Sequence, residues 1–295
     1  MIPSLGRDLV LLLILATIWS SSFTVIKIGV EVIPPVTLAM MRITIAAAVL
    51  YGWLKAKGHS LPTEPRVWWS FFLIGCVGNA FPFTMINWGE QAIPSGLAAI
   101  MIASMPLAAL VLGRIFSDEV FNVRRLTGVL VGFAGVVYLI GPQELLSLGE
   151  QAVRQLAVAL AAMLYAVSGI LLRKLPKASP LEHGAGVMIM SSVVLIPASL
   201  FGDQPWTIDF TADALAAGVY LGVLPTALAT IILIMVIASR GVTFVSLNNY
   251  LIPILGVMWG VLFLDETVSS EAIVALVLIF SGITIAGTGP TIRKI

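Results

Sequence analysis

The 295 residues are 59% hydrophobic and only 11% charged, whereas a soluble domain averages about 25% charged. That composition excludes a water-soluble fold, and a net charge of +1 excludes nucleic acid as a partner, since no basic face is available to offset a phosphate backbone. A membrane span with its connection takes roughly 25 to 30 residues, so the chain accommodates about ten helices and no soluble domain.

At the amino terminus Arg7 is followed by an apolar run from Leu9 to about Gly29. It is longer than a signal-peptide core and continues past any clear cleavage site, which predicts a retained first helix. Apolar runs bounded by charge, Pro and Gly predict further spans, ten in all: 8–29, 34–54, 67–88, 94–115, 122–140, 152–172, 184–201, 212–236, 242–263 and 271–289. The expected fold is an all-α integral membrane protein of ten transmembrane helices. Cys76, the single cysteine, lies inside an apolar run and reads as a small buried hydrophobe that allows no internal disulfide.

With the amino terminus in the cytoplasm, Arg7, Lys55, Lys57, Arg66, Arg114, Arg124, Arg125, Arg173, Lys174, Lys177, Arg240, Arg293 and Lys294 all fall on that side. Lys27 and Arg154 lie close to outer helix ends, and Arg42 lies within the second span. The outer loops instead carry acids, among them Glu31, Glu90, Asp203, Asp265 and Glu266. Lys and Arg resist translocation, so both termini are expected inside a bacterial-type inner membrane.

An internal repeat is the most specific signal. Ser104-Met105-Pro106, Asp118-Glu119 and Phe133-Ala134-Gly135 recur as Leu251-Ile252-Pro253, Asp265-Glu266 and Phe280-Ser281-Gly282, all at one offset of 147 residues. Trp19 to Ser22 matches Tyr165 to Ser168 at an offset of 146, and Pro82 matches Pro225 at an offset near 143. The chain therefore reads as one five-helix repeat over residues 1–146 and a second over 147–295. Five is odd, so the second repeat is expected inverted, with Asp118 inside and Asp265 outside. Inverted repeats are a recurring design of secondary transporters, because two half-bundles can open a central site to alternate sides.

These residues resemble the drug/metabolite transporter superfamily, EamA type. The resemblance rests on Ile18-Trp19-Ser20-Ser21-Ser22-Phe23 leading to Lys27, on an Arg42-bearing second helix, and on a Pro, a terminal acid and a following Gly in each half. It covers essentially the whole chain and implies ten helices, inside termini and a central cavity lined by spans one, three, four, six, eight and nine. Within the superfamily the chain is similar to YddG-type amino acid exporters. That implies export of neutral or zwitterionic metabolites, amino acids above all, with no cofactor. Two rivals stay open: a multidrug exporter, which calls for a buried Glu in the cavity, and a channel or scaffold with no alternating site.

Enzyme signatures are missing: no H-E-x-x-H, G-x-S-x-G or phosphate loop appears, and no catalytic or metal residue is assigned. No Asp or Glu is expected deep in a span. Candidate substrate residues are polar, aromatic or thioether side chains in spans with helix breakers. Trp19, Ser22, Tyr165 and Ser168 sit at equivalent positions of the repeat, for a cavity or for close Ser-mediated packing. Asn79 and Phe83 flank Pro82, for a solute or for a neighbouring helix. Met101 and Met105 stand one turn apart before Pro106, as an adaptable wall or as filler. Of Asn248, Asn249 and Tyr250, ahead of Pro253, at most one of the adjacent amides is expected to face a cavity. Arg42 either receives a solute carboxylate or pins helices as a gating or structural group, alongside the bending positions Pro82, Pro106, Pro225 and Pro253. Lys27 is expected to snorkel to the outer surface. Gly128-x-x-x-Gly132 and Gly256-x-x-x-Gly260 permit close helix approach, within a half or between copies of the chain; the oligomeric state stays open, with a monomer adequate.

Overall fold

A computed structural model describes residues 5–116, 123–141, 146, 149–175 and 179–287, and among these all regular structure is helical. In chain order the helices are α1 (Leu5–Val30), α2 (Pro35–Ala56), α3 (Pro65–Glu90), α4 in two pieces (Ser95–Ile102 and Met105–Phe116), α5 (Val123–Ile140), α6 (Glu150–Leu172), α7 (Pro180–Asp203), α8 (Ala212–Arg240), α9 (Asn248–Leu264) and α10 (Ser270–Gly287). Eight are long and apolar enough to cross a membrane, and α9 and α10 are shorter apolar helices. The expected span 242–263 is divided because Val242–Val245 forms a separate helical turn before α9. Asp118 and Glu119 lie outside the described residues.

Helix starts follow the local chemistry. Pro35, Pro65 and Pro180 occupy first-turn positions, where a missing N–H costs nothing. Ser179 and Glu182 add a reciprocal cap to α7. Gly241, at φ +80°, ends α8 in a conformation that only glycine adopts freely.

Three of the expected bending positions, Pro82, Pro106 and Pro225, sit beside or within departures from regular helix, whereas Pro253 lies inside an unbroken α9. α3 and α8 contain π turns, Cys76–Ala80 and Val223–Leu228, which begin 147 residues apart. In α8, Pro225 leaves the Leu221 carbonyl without its usual donor, and the Thr226 hydroxyl supplies one at 2.8 Å. The wider register carries the Ala229 N–H to Leu224, and the Pro225 carbonyl accepts the Trp19 indole N–H at 3.2 Å. In α4 the helix breaks at Ala103–Ser104, ahead of Pro106, and the Ser104 hydroxyl donates to the Met101 carbonyl at 2.7 Å.

Packing joins the two halves of the chain throughout. α2 lies along α7 and α5 along α10; α1 packs on α8 and α9, α6 on α3 and α4, α2 on α8 and α3 on α7. The closest approach is between α5 and α10, where a methyl added to Gly128 would lie 2.5 Å from the Gly282 carbonyl oxygen and 2.6 Å from the Ala286 nitrogen. The Gly128-x-x-x-Gly132 spacing thus serves contact between the halves, and Gly256 serves α9 against Ala99 of α4.

Both ends of the bundle are bridged. At the end holding the start of α1, Arg240 donates to a wholly buried Asp8 at 2.7 Å. At the opposite end Glu266 accepts the backbone N–H groups of Ser95 and Gly96 at 2.6 and 3.0 Å, capping α4. Asp203 similarly accepts the Thr37 N–H at the start of α2, at 2.8 Å. Lys27 does not snorkel outward: its ammonium donates to the carbonyls of Glu90 and Ile93 at 2.6 and 3.1 Å. Nor is Glu90 a loop residue, for it ends α3 and is wholly buried.

Candidate functional site

The site forms where the π turns of α3 and α8 meet α1, α2 and α6. Arg42, eight residues into α2, is buried at 5% exposure. Its Nε donates to the Thr226 hydroxyl at 2.8 Å, and its guanidinium carbon lies 3.8 Å from the centre of the Phe83 ring. Phe83 in turn meets Tyr165 edge to face at 6.2 Å. A guanidinium held over one ring and tied at one nitrogen has its outer edge left over. Among the described residues, no hydrogen bond reaches its two terminal nitrogens.

Thr226 is indispensable to this geometry: its hydroxyl gives its proton to Leu221 and so presents a lone pair to Arg42. Inspection of the sequence overlooks it, although its place beside Pro225, in a segment that must lose a backbone donor, was the available signal. Trp19, bound to the Pro225 carbonyl, closes the α1 side. On the opposite half Ser168 lies against Gly78 of the α3 π turn, so tightly that a methyl on Gly78 would collide with its side chain.

Among the described residues, the other expected residues make no hydrogen bond to Arg42, Phe83, Tyr165 or Thr226. Asn79 donates to Ser191 of α7 at 3.2 Å, and Ser191 donates to the Gly75 and Val187 carbonyls, so the amide works as a peg between α3 and α7. Ser22 bonds the Trp19 carbonyl on its own helix at 2.6 Å, and Ser20 accepts the Trp259 indole at 3.0 Å. Met101 is wholly buried in the main core, while Met105 is half-buried just past the α4 break. Tyr250 packs on Phe280 of α10. Asn248 is buried, and neither of its amide atoms has a partner.

The peg yields a prediction. Interhelical side-chain bonds in membranes contribute about 0.6 kcal/mol on average. Asn79→Leu and Ser191→Ala should each lower the melting temperature of the purified protein, and the double variant should lose less than their sum. Full additivity would break the assignment.

A closely packed bundle of long apolar helices, with broken helices around a buried polar centre, defines a multi-pass membrane transporter. The EamA-like transporter family model matches the chain twice, over residues 7–141 and 154–288, and the chain belongs to that family. It is a transporter and not an enzyme, as the resemblance to EamA-type drug/metabolite transporters implies. It is 28% identical over 276 residues to the uncharacterized inner membrane transporter YedA of Escherichia coli, covering 92% of this chain and 88% of the relative. A probable terminal-alkyne amino-acid exporter of Streptantibioticus cattleyicolor is 25% identical, with 90% and 88% covered. A solved crystal structure shares the fold at TM-score 0.66 and 20% identity, over 95% of this chain and 97% of its own.

Proposed function

We propose that the protein carries zwitterionic metabolites, amino acids foremost, out of the cell across the inner membrane by alternating access, with Arg42 as the group that receives the cargo carboxylate. The observation that carries this reading is the unpartnered edge of a buried guanidinium. Removing a charge from water costs several kcal/mol. The Phe83 contact offsets about 2 kcal/mol of that, and one hydrogen bond to a charged group about 1.5 to 3 kcal/mol. A planar carboxylate matches the remaining edge with two parallel bonds, and the aromatic walls of Trp19, Phe83 and Tyr165 suit an apolar side chain. The amino-acid exporter among the relatives fits this cargo class.

For the mechanism, we read residues 1–146 and 147–295 as inverted five-helix repeats of a ten-span bundle with both termini inside. In support, the family model matches once in each half. The principal pairings between the halves, α1 with α8 and α9, α2 with α7 and α8, and α5 with α10, also map onto existing pairings when α1 to α5 are exchanged with α6 to α10. Bending at Pro82, Pro106, Pro225 and Pro253 lets the halves rock, and Met105, Ser168 and Asn248 extend the pathway from the centre.

Counterflow tests the proposal. In proteoliposomes, unlabelled external amino acid should accelerate release of labelled internal amino acid, and the rate should saturate. Rates linear in concentration would indicate a channel. Acceleration by lipophilic cations but not by amino acids would indicate a multidrug exporter.

A further inference from the structure

Among the described residues, Glu90 is a wholly buried ionisable group that the cargo reading does not use. Glu90 ends α3 with none of its surface exposed, and both of its carboxylate oxygens are shut off from solvent without a hydrogen-bond partner. Its neighbours do not meet that need. Lys27 spends its ammonium on the backbone carbonyls of Glu90 and Ile93. Arg154 on α6 is committed to the Trp88 carbonyl, Gln91 and Glu150. Three charges lie within electrostatic reach without a bond to the carboxylate: Lys27 on α1, the second carboxylate Glu266, and Arg42 on α2. Ser95, next to the Glu266 cap, also has a buried hydroxyl without a partner.

We propose that Glu90 is a proton-binding site linked to closure of this end of the bundle: the end shuts with the carboxyl group carrying a proton and opens when that proton leaves. Three observations carry it. A carboxylate sealed from water with no donor is among the costliest groups to bury, and a bound proton removes its charge. Glu266 is held within electrostatic reach by its cap on Ser95 and Gly96, so the bonds that bridge this end also bring two acids together. Finally, the Lys27 ammonium already occupies the two carbonyls that a metal ion would use, whereas a proton needs no further room. The balance is one proton: carboxylate plus proton gives the neutral acid on closing, and the reverse on opening. The closed form binds more protons, so acid stabilises it and alkali favours opening.

This inference rests on the two-ended closure of the proposed mechanism and not on the nature of the cargo, so its test uses none. Spin labels at Gln91→Cys and Thr267→Cys, in a Cys76→Ala background, report the separation of the α3–α4 and α9–α10 turns in reconstituted protein. Between about pH 4 and about pH 9, a window that runs from the ordinary glutamate value through the several-unit rise known for buried carboxyl groups, the long-distance population should rise at least severalfold. Glu90→Gln, permanently neutral, should keep the short distance at both. In parallel, a pH-dependent carboxylic-acid C=O infrared band should be present in the parent protein and lost in Glu90→Gln. A distance that ignores pH, a Glu90→Gln protein that opens like the parent, or no such band would overturn the proposal. The first and last are read on the parent protein alone, whether or not the variant folds. A failed counterflow alongside a normal pH response would count against the cargo reading only.

Discussion

Arg42→Gln is expected to reduce amino-acid counterflow by roughly thirtyfold or more while leaving the protein in the membrane. Truncating one partner of a buried charged pair costs about 2 to 5 kcal/mol, and each 1.4 kcal/mol is a factor of about ten. Abundance alone does not separate a cargo ligand from a helix pin, so the informative measurement is selectivity. The parent protein should prefer an amino acid over its amide by at least tenfold, and Arg42→Gln should lose that preference. Arg42→Lys should recover little, because an ammonium neither lies flat on Phe83 nor offers a planar fork. If Arg42→Gln kept the preference for the acid, the cargo carboxylate would have to bind elsewhere, and Arg42 would be left as a pin between α2 and α8.

Gly282→Leu and Gly128→Leu should have the largest effect on folding. Extra carbons in a packed core typically cost about 1 to 3 kcal/mol, and here the obstacles are backbone atoms that cannot turn aside. A Cβ at Gly282 would lie 2.5 Å from the Gly128 carbonyl oxygen and 2.6 Å from the Gly132 nitrogen. We expect the folded yield after detergent extraction to collapse, whereas Gly52→Leu and Gly169→Leu, at positions with nothing within 4 Å, should extract normally. Normal yield from both α5–α10 variants would mean that the two helices do not meet as described.

Much of this was readable from residue order because the bilayer imposes a simple rule: apolar runs must span, and every backbone group within them must find a partner in the protein. The same rule marks where the spans give way. Pro225 and Pro106 each remove a donor, and the structure answers with a π turn and a break. What order did not reveal are facts about neighbours. Charge that bounds an apolar run predicts Glu90 in a loop, yet it lies in the last turn of α3 and is wholly buried. Local hydropathy predicts Lys27 snorkelling to the outer surface, because a carbonyl pair 63 to 66 residues away leaves no trace in it. Arg42 was placed correctly in the second span, but its tie to Thr226 depends on a register shift in α8 that propensity alone does not specify.

Asp8 with Arg240 at one mouth and Glu266 with α4 at the other are each made between opposite halves of the chain. Two clasps fastened together mean that no single rupture connects the two aqueous compartments. Under the alternating-access mechanism proposed above, one clasp holds while the other is undone, which would protect a cell's ion gradients from leakage through this protein.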